Sequence, residues 1–256
     1  MAPTNTDYFE DDVHFSFPIS SSPMLSELRH LATFEFQSAD STAEKAKIII
    51  GFANGLFSHS GDNCPSADDP VTILKEAQDG QAFRCVEYST LAAGLLWAYG
   101  IPARTIGLKT SDVETRGYGA GHVVIEFWDD QLHKWVMSDV QAGLIAIQSE
   151  VPLSAHELKQ QLTDNKPVIY VPVAGSSFTQ EATYDDMPGY TDWIYEYLYF
   201  IDTPLSLALG NGDKADEKIV MLVPPNVRAP KMFQGMFEMN ALYTTNAAKF
   251  YAPPKS

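Results

Sequence analysis

The sequence predicts an α+β fold in which a cysteine-bearing helix packs on an antiparallel β-sheet. Three observations predict it. The run CVEYSTLAAGLLWAY (85–99) is apolar at helical spacing, with Tyr88, Leu91, Leu95 and Ala98 on one stripe. Gly100 and Pro102 close it in the order that ends helices. ARTIGLK (103–109), HVVIEFW (122–128) and HKWVMSD (133–139) then read as strands, the last two joined by the short polar link DDQL. Finally, the 256 residues are 45% apolar and 20% charged, enough chain to bury a core without disulfide or metal staples.

The other elements follow from local signals. Residues 1–40 read as an N-terminal arm: 1–22 are polar, and Ser22-Pro23 can start a short helix with Pro at its first position. Residues 41–150 read as the core. Ser41 and Glu44 have capping-box spacing, and Ile48, Phe52 and Leu56 continue from them as a helical face. SHSGDNCPSADDP is a loop, after which Asp69 caps a helix with Pro70 in its first turn, running to Gln78. TSDVETRGYGAG is a glycine-rich loop, a candidate lip over whatever site lies beside it. Residues 151–256 read as a C-terminal extension packed on the core. It opens with a second capping box (Ser154, Glu157) and holds the strand candidates VIYVPV and KIVMLV. TDWIYEYLYF fits a helix or a strand and reads as a helix, and its dense aromatic residues, with Tyr184 and Tyr190 just before, read as core packing, with a substrate wall as the alternative.

Charge and cysteine usage exclude whole classes of function. Acidic residues number 33 against 17 basic ones, for a net charge of −16. Neither nucleic acid nor an anionic membrane is the expected partner, since both need clustered Lys and Arg. Cys64 and Cys85 are too few for a disulfide framework, which points to a reducing, cytoplasmic setting. The acidic N-terminus has no secretory pattern, and no apolar run reaches the roughly 18 residues that span a bilayer. No Walker A loop or dinucleotide fingerprint is present, and Cys64 with His59 is too sparse for a zinc site. No cofactor or metal is expected.

The chemistry gathers on Cys85, His122 and Asp139. Cys85 stands where a loop turns into a helix, and the partial positive charge of a helix N-terminus favours a thiolate. Arg84 would assist; Glu87 and the overall negative charge would oppose, so a thiolate there needs a close cation such as protonated histidine. His122 opens one strand and Asp139 ends the next. Folding the hairpin symmetrically about DDQL pairs Trp128 with His133, Glu126 with Trp135, Val124 with Met137 and His122 with Asp139. Asp139 could then hold one ring nitrogen and leave the other for Cys85, as in a triad.

AFRCVEYSTLAAGLLWAYGIPARTIGLKT, followed by GAGHVVIEFWDDQLHKWVMSDVQ, resembles the core of the transglutaminase-like superfamily. The carrying features are Cys85 at a helix start, Gly100-Ile101-Pro102-Ala103-Arg104 after it, His122, Trp135 and Asp139, in order and spacing over about residues 41–145. The resemblance implies a papain-like fold and a Cys85–His122–Asp139 triad. It leaves the substrate open, because the superfamily holds cross-linkers, peptidases, amidases, amide-forming enzymes and inactive scaffolds. There are departures. Many members have Gly two residues before the cysteine, where this chain has Phe83. Many place an aromatic oxyanion donor roughly 35 residues before it; among Phe52, Asn54 and Phe57 only Asn54 can donate. The backbone N–H of Cys85 is the other expected donor.

The expected activity is therefore acyl chemistry on an amide through a thioester on Cys85, with hydrolysis of a protein, peptide or small amide favoured. Transfer to an amine and a catalytically idle binding module are the alternatives.

Overall fold

The computed structural model describes residues 15, 21–36, 39, 41–173, 176, 180–183, 185–206 and 218–254. Most of the polar stretch 1–22, and Tyr184, lie outside them. Four helices come first: α1 (Pro23–Leu31), α2 (Thr42–Leu56), α3 (Pro70–Gln78) and α4 (Cys85–Ala98). α1 buries Leu25 and Leu28 completely against α3 and α4. Both expected caps form. The Ser41 hydroxyl accepts from the Glu44 N–H at 3.2 Å while the Glu44 carboxylate accepts from the Ser41 N–H at 3.0 Å, and Asp69 Oδ1 accepts from the N–H groups of Val71 and Thr72. The buried face of α2 is Ala46, Ile49, Ile50 and Ala53, with Phe52 and Leu56 at its margin. The expected line through Ile48 is thus displaced by one residue. α4 is wrapped on nearly all sides rather than along one stripe. Its Gly94 lets α3 cross it closely, since a Cβ there would stand 2.7 Å from Pro70.

The main sheet takes β1 (Ala103–Lys109), β2 (Gly121–Asp129) and β3 (Lys134–Ser138) from the region before residue 150. It takes β8 (Phe200–Pro204), β9 (Ile219–Leu222) and β12 (Ala241–Thr244) from the region after. The order is β12-β9-β8-β1-β2-β3, antiparallel throughout except the β12–β9 pair. A second, antiparallel sheet is ordered β5-β4-β6-β7 (Val151–Pro152, Leu144–Gln148, Ile169–Pro172 and Ala182–Thr183). β10 (Met232–Phe233) and β11 (Phe237–Glu238) form a small hairpin. The aromatic run splits: α6 (Pro188–Tyr197) is helical as expected, but its last residues turn and enter β8.

Alternation along the strands creates two cores. Ile125 and Phe127 of β2 face the α1–α4 layer. Ile106, Leu108, Val124 and Met137 face the other way, against α5 (Ala155–Thr163), α6 and α7 (Ala247–Phe250). The second layer is pinned by Arg104. This fully buried guanidinium binds Glu126 Oε2 through Nε and Nη2 (3.1 and 2.7 Å), donates to the Phe250 carbonyl at 3.0 Å and lies 4.3 Å from the Trp135 ring. Glu126 Oε1 accepts from the Ala155 N–H that opens α5. One Arg–Glu pair therefore ties the start of α5 and the end of α7 to the sheet.

The β2–β3 register corrects the symmetric hairpin. The observed pairs are Asp129–Lys134, Trp128–Trp135, Phe127–Val136, Glu126–Met137 and Ile125–Ser138. The turn is 130–133 instead of DDQL. Asp129 Oδ1 accepts from the N–H groups of Gln131 and Leu132 at 2.9 Å each, and His133 adopts φ 50°. The slide is two residues, so no side chain changes face. Asp139 comes level with Val124 and reaches His122 diagonally instead of directly across. Among the described residues no helix is long and apolar enough to cross a membrane, and no group of three His, Cys, Asp or Glu side chains is placed to hold a metal ion.

Candidate active site

Cys85 is the first residue of α4, a free thiol and partly exposed. Its amide opens the helix and so has no intrahelical acceptor, leaving it available to a developing oxyanion. The loop before it is firmly held. Phe83 is fully buried edge-on to Phe57, and it exchanges backbone hydrogen bonds with residues 58 and 60 (Phe83 N–H to Ser58 O, 3.2 Å; Ser60 N–H to Phe83 O, 2.7 Å). The Tyr88 hydroxyl donates to the Phe57 carbonyl at 2.6 Å. Phe83 thus serves as a packing anchor at a position where many superfamily members carry glycine. Arg84 and Glu87, expected to act on the thiol in opposite senses, pair with each other at 2.5 Å, and Glu87 also accepts from the Arg84 N–H. Their charges largely cancel beside Cys85.

His122 is buried at the head of β2, and its Nε2 lies 3.0 Å from Asp139 Oδ2. Cys85 stands beside the same ring, among the groups that raise its pKa. Burial alone would lower the His122 pKa. The Asp139 carboxylate, its hydrogen bond and the adjacent Cys85 outweigh burial and raise it to about 10. Burial likewise pushes Asp139 upward, but the facing imidazole and three donors hold it below 3.8. Those donors are His122, the Ala142 N–H to Oδ1 at 3.0 Å, and the Tyr190 hydroxyl to Oδ2 at 3.0 Å.

The turn after Asp139 is built to present it. The Gly143 N–H donates to the Asp139 carbonyl at 2.8 Å, and the Asp139 N–H donates to Leu144 O at 3.0 Å. Gly143 adopts φ 68°, and a Cβ there would stand 2.8 Å from the Ser176 side chain. Asn54 clamps this same turn: its Nδ2 donates to the carbonyls of Val140 (2.8 Å) and Gln141 (3.0 Å). That corrects the expectation of Asn54 as an oxyanion donor. Both protons of its amide are spent on backbone carbonyls, so it positions the Asp139 turn.

The sequence reading missed two residues of α6. Tyr190 binds Asp139, and Trp193 meets the His122 ring edge-on at 4.8 Å between centroids. The aromatic density of 190–199 carries the signal: it reads as core packing with a substrate wall as the alternative, and neither reading connects Tyr190 with Asp139 or Trp193 with His122. The glycine-rich loop before His122 is also better held than a free lip. The Gly119 carbonyl accepts from the Tyr197 hydroxyl at 2.8 Å, the Ala120 N–H donates to Gln234 at 2.8 Å, and Arg116 bridges Asp112 and Glu196.

Residues 30–140 match the model of the transglutaminase-like superfamily. No curated protein matches the chain significantly. Among solved structures, a candidate cysteine protease from Cytophaga hutchinsonii aligns with 67% of this chain at 15% identity and a TM-score of 0.38. The chain spans 57% of that protein's length. From the last turn of α1 to the neighbour of Asp139, residues 30–140 are similar to the core of the transglutaminase-like superfamily.

Proposed function

We propose that the chain is a cysteine-dependent enzyme acting on amide bonds, with hydrolysis by a peptidase, amidase or deamidase route. The observation that carries the reading is the buried His122–Asp139 pair beside a partly exposed cysteine at a helix N-terminus. The transglutaminase-like core supports cysteine-based catalysis in general. In the first step the Cys85 sulfur bonds to the substrate carbonyl carbon while the Cys85 N–H stabilises the oxyanion. His122 then gives its proton to the leaving amine as the C–N bond breaks. Water, deprotonated by His122, cleaves the thioester and restores the thiol. Asp139 keeps the imidazole oriented throughout, and Asn54 and Tyr190 keep Asp139 in place. A reducing, cytoplasmic setting belongs to the reading, because Cys85 must stay a thiol.

The test is alkylation by iodoacetamide between pH 6 and 7, with peptide mass spectrometry separating Cys85 from Cys64. Cys85 is expected to react about tenfold or more faster than Cys64, and to lose that advantage in His122→Ala. Equal reactivity of the two cysteines, or an inert Cys85, would reassign the chain to a non-catalytic binding module.

A further inference from the structure

The geometry points to a second ligand site, built without Cys85, His122 or Asp139, that takes a small carboxylic acid with an apolar body. Lys159 binds the carboxylate, and the end of the central sheet receives the body. The described residues that line the site all come from 156–247, beyond the segment similar to the superfamily core. The inference therefore stands apart from the acyl-chemistry reading and goes beyond it.

β9 runs antiparallel to β8 and parallel to β12, so the start of β8 and the ends of β9 and β12 meet at one end of the sheet. Leu222 stands level with Ile201 on one side and with Thr244 on the other. Lys159 ties α5 to this end. Its Nζ donates to the Tyr199 carbonyl at 2.9 Å and lies 5.1 Å from the centre of the Tyr199 ring. Between α5 and the strand ends is a cleft of about 650 Å³. That volume falls within the roughly 300–1,000 Å³ typical of small-molecule pockets. Its sheet side is apolar, with Ile201, Leu222, Pro224 and Pro225. Its helix side carries His156 and Lys159 and, just past the end of α5, Asp164 and Lys166.

The charges on the helix side do not balance. Arg84, Arg104, Lys109 and Lys134 each face a carboxylate. Lys159 is partly buried and has no acidic partner within ion-pair distance among the described residues. Burial, with no carboxylate to offset it, lowers its pKa to about 8. The Tyr199 carbonyl takes one of its three N–H groups and leaves two for a ligand. Lys166 is spent on Asp164 at 3.0 Å. His156 is neutral at pH 7, because burial and then the Lys159 charge hold its pKa below 6.5. From the sheet side, the described residues of the cleft bring no charge, and the Tyr199 phenol is their one titratable group. The cleft thus offers a single unmatched positive charge. A dianion such as phosphate would meet Asp164 with one cation to compensate it. A carboxylate carries one charge and only accepts hydrogen bonds, as an ammonium group requires. The apolar strand ends beside it then call for a hydrocarbon body on the same ligand.

The experiment titrates the full chain with hexanoate and indole-3-acetate, and with hexanamide and indole-3-acetamide as their uncharged counterparts, by ligand-observed NMR. At pH 7 each acid is expected to bind saturably and about tenfold or more tighter than its amide. Lys159→Met keeps an apolar stem and removes a charge that burial disfavours, so the fold should survive it. It should abolish the preference for the acid while leaving amide binding and the alkylation rate of Cys85 unchanged. In the wild type the preference should fall roughly tenfold from pH 7 to pH 9, as Lys159 loses its proton through about 8. Lys159→Arg, which stays charged, should keep the preference at both pH values. No saturable binding of either acid, equal binding of acid and amide, or a preference that survives Lys159→Met overturns the inference. None of these outcomes touches the acyl chemistry, which the Cys85 alkylation rates test separately.

Discussion

Replacing Tyr190 with phenylalanine tests whether the Asp139 carboxylate depends on α6. The ring keeps its place, edge-on to Tyr170 at 5.3 Å and 5.9 Å from Trp193, so little packing is lost. What goes is one hydroxyl donor at 3.0 Å to Oδ2 of a fully buried carboxylate. Burial, together with the Asp139 charge, holds the Tyr190 pKa well above its usual value, so the hydroxyl is a donor across the neutral range. A hydrogen bond to a charged group contributes roughly 1.5–3 kcal/mol, and urea unfolding at pH 7 should show a loss of about that size. The pH dependence separates this from a packing effect. Asp139 is depressed below 3.8 in the fold, so its stabilisation is present above that value and is lost as pH falls through the folded pKa. Tyr190 is one cause of the depression. The difference between wild type and Tyr190→Phe should therefore be full from pH 5 to 7 and shrink as the carboxylate protonates below about pH 4. A difference under about 0.5 kcal/mol at neutral pH, or one that does not vary with pH, would refute the argument that the hydroxyl serves the carboxylate.

Two further outcomes follow from the buried charges. Arg104→Met leaves Glu126 buried without its cation and should cost about 3–5 kcal/mol in urea unfolding, part of it recovered by adding Glu126→Leu. His122, raised to about 10, contributes stability that is complete below its usual 6.5 and is lost as pH rises through 10. Unfolding free energy should therefore fall between pH 7 and 10 by at most about 1.4 kcal/mol per pH unit, and His122→Gln should lack that slope.

The sequence made local decisions legible wherever a local signal governs. The Ser41, Asp69 and Ser154 caps set helix starts because a side chain and a backbone N–H three residues away decide them. Gly100, at φ 79°, ended α4 for the same kind of reason. The contact between His122 and Asp139 was legible because strand alternation puts them on one face under either register, so a two-residue error in the turn did no harm. The error itself came from Asp129, whose side chain caps the turn from within what was counted as link.

Long-range contacts were not legible, and the site depends on them. Asn54 has the right chemistry for an oxyanion donor, but which carbonyls it meets is set by how α2 crosses the end of β3, 86 residues away in sequence. Tyr190 reaches Asp139 across 51 residues, and the hairpin that covers Gly121 lies further still along the chain. Periodicity assigns such residues to a buried face and stops there. It cannot tell an aromatic ring packed on leucine from one packed on the imidazole of His122. The stretch after residue 150, which looked like an extension on a finished core, adds three strands to the central sheet and one wall to the site. Cys85, His122 and Asp139 lie within the segment similar to the transglutaminase-like core, and so does Asn54, whereas Tyr190 and Trp193, which meet Asp139 and His122, come from α6 beyond it. Substitutions within the core should therefore alter how fast the thiol reacts. Substitutions at Tyr190 and Trp193 should alter it as well, because α6 meets Asp139 and the His122 ring directly.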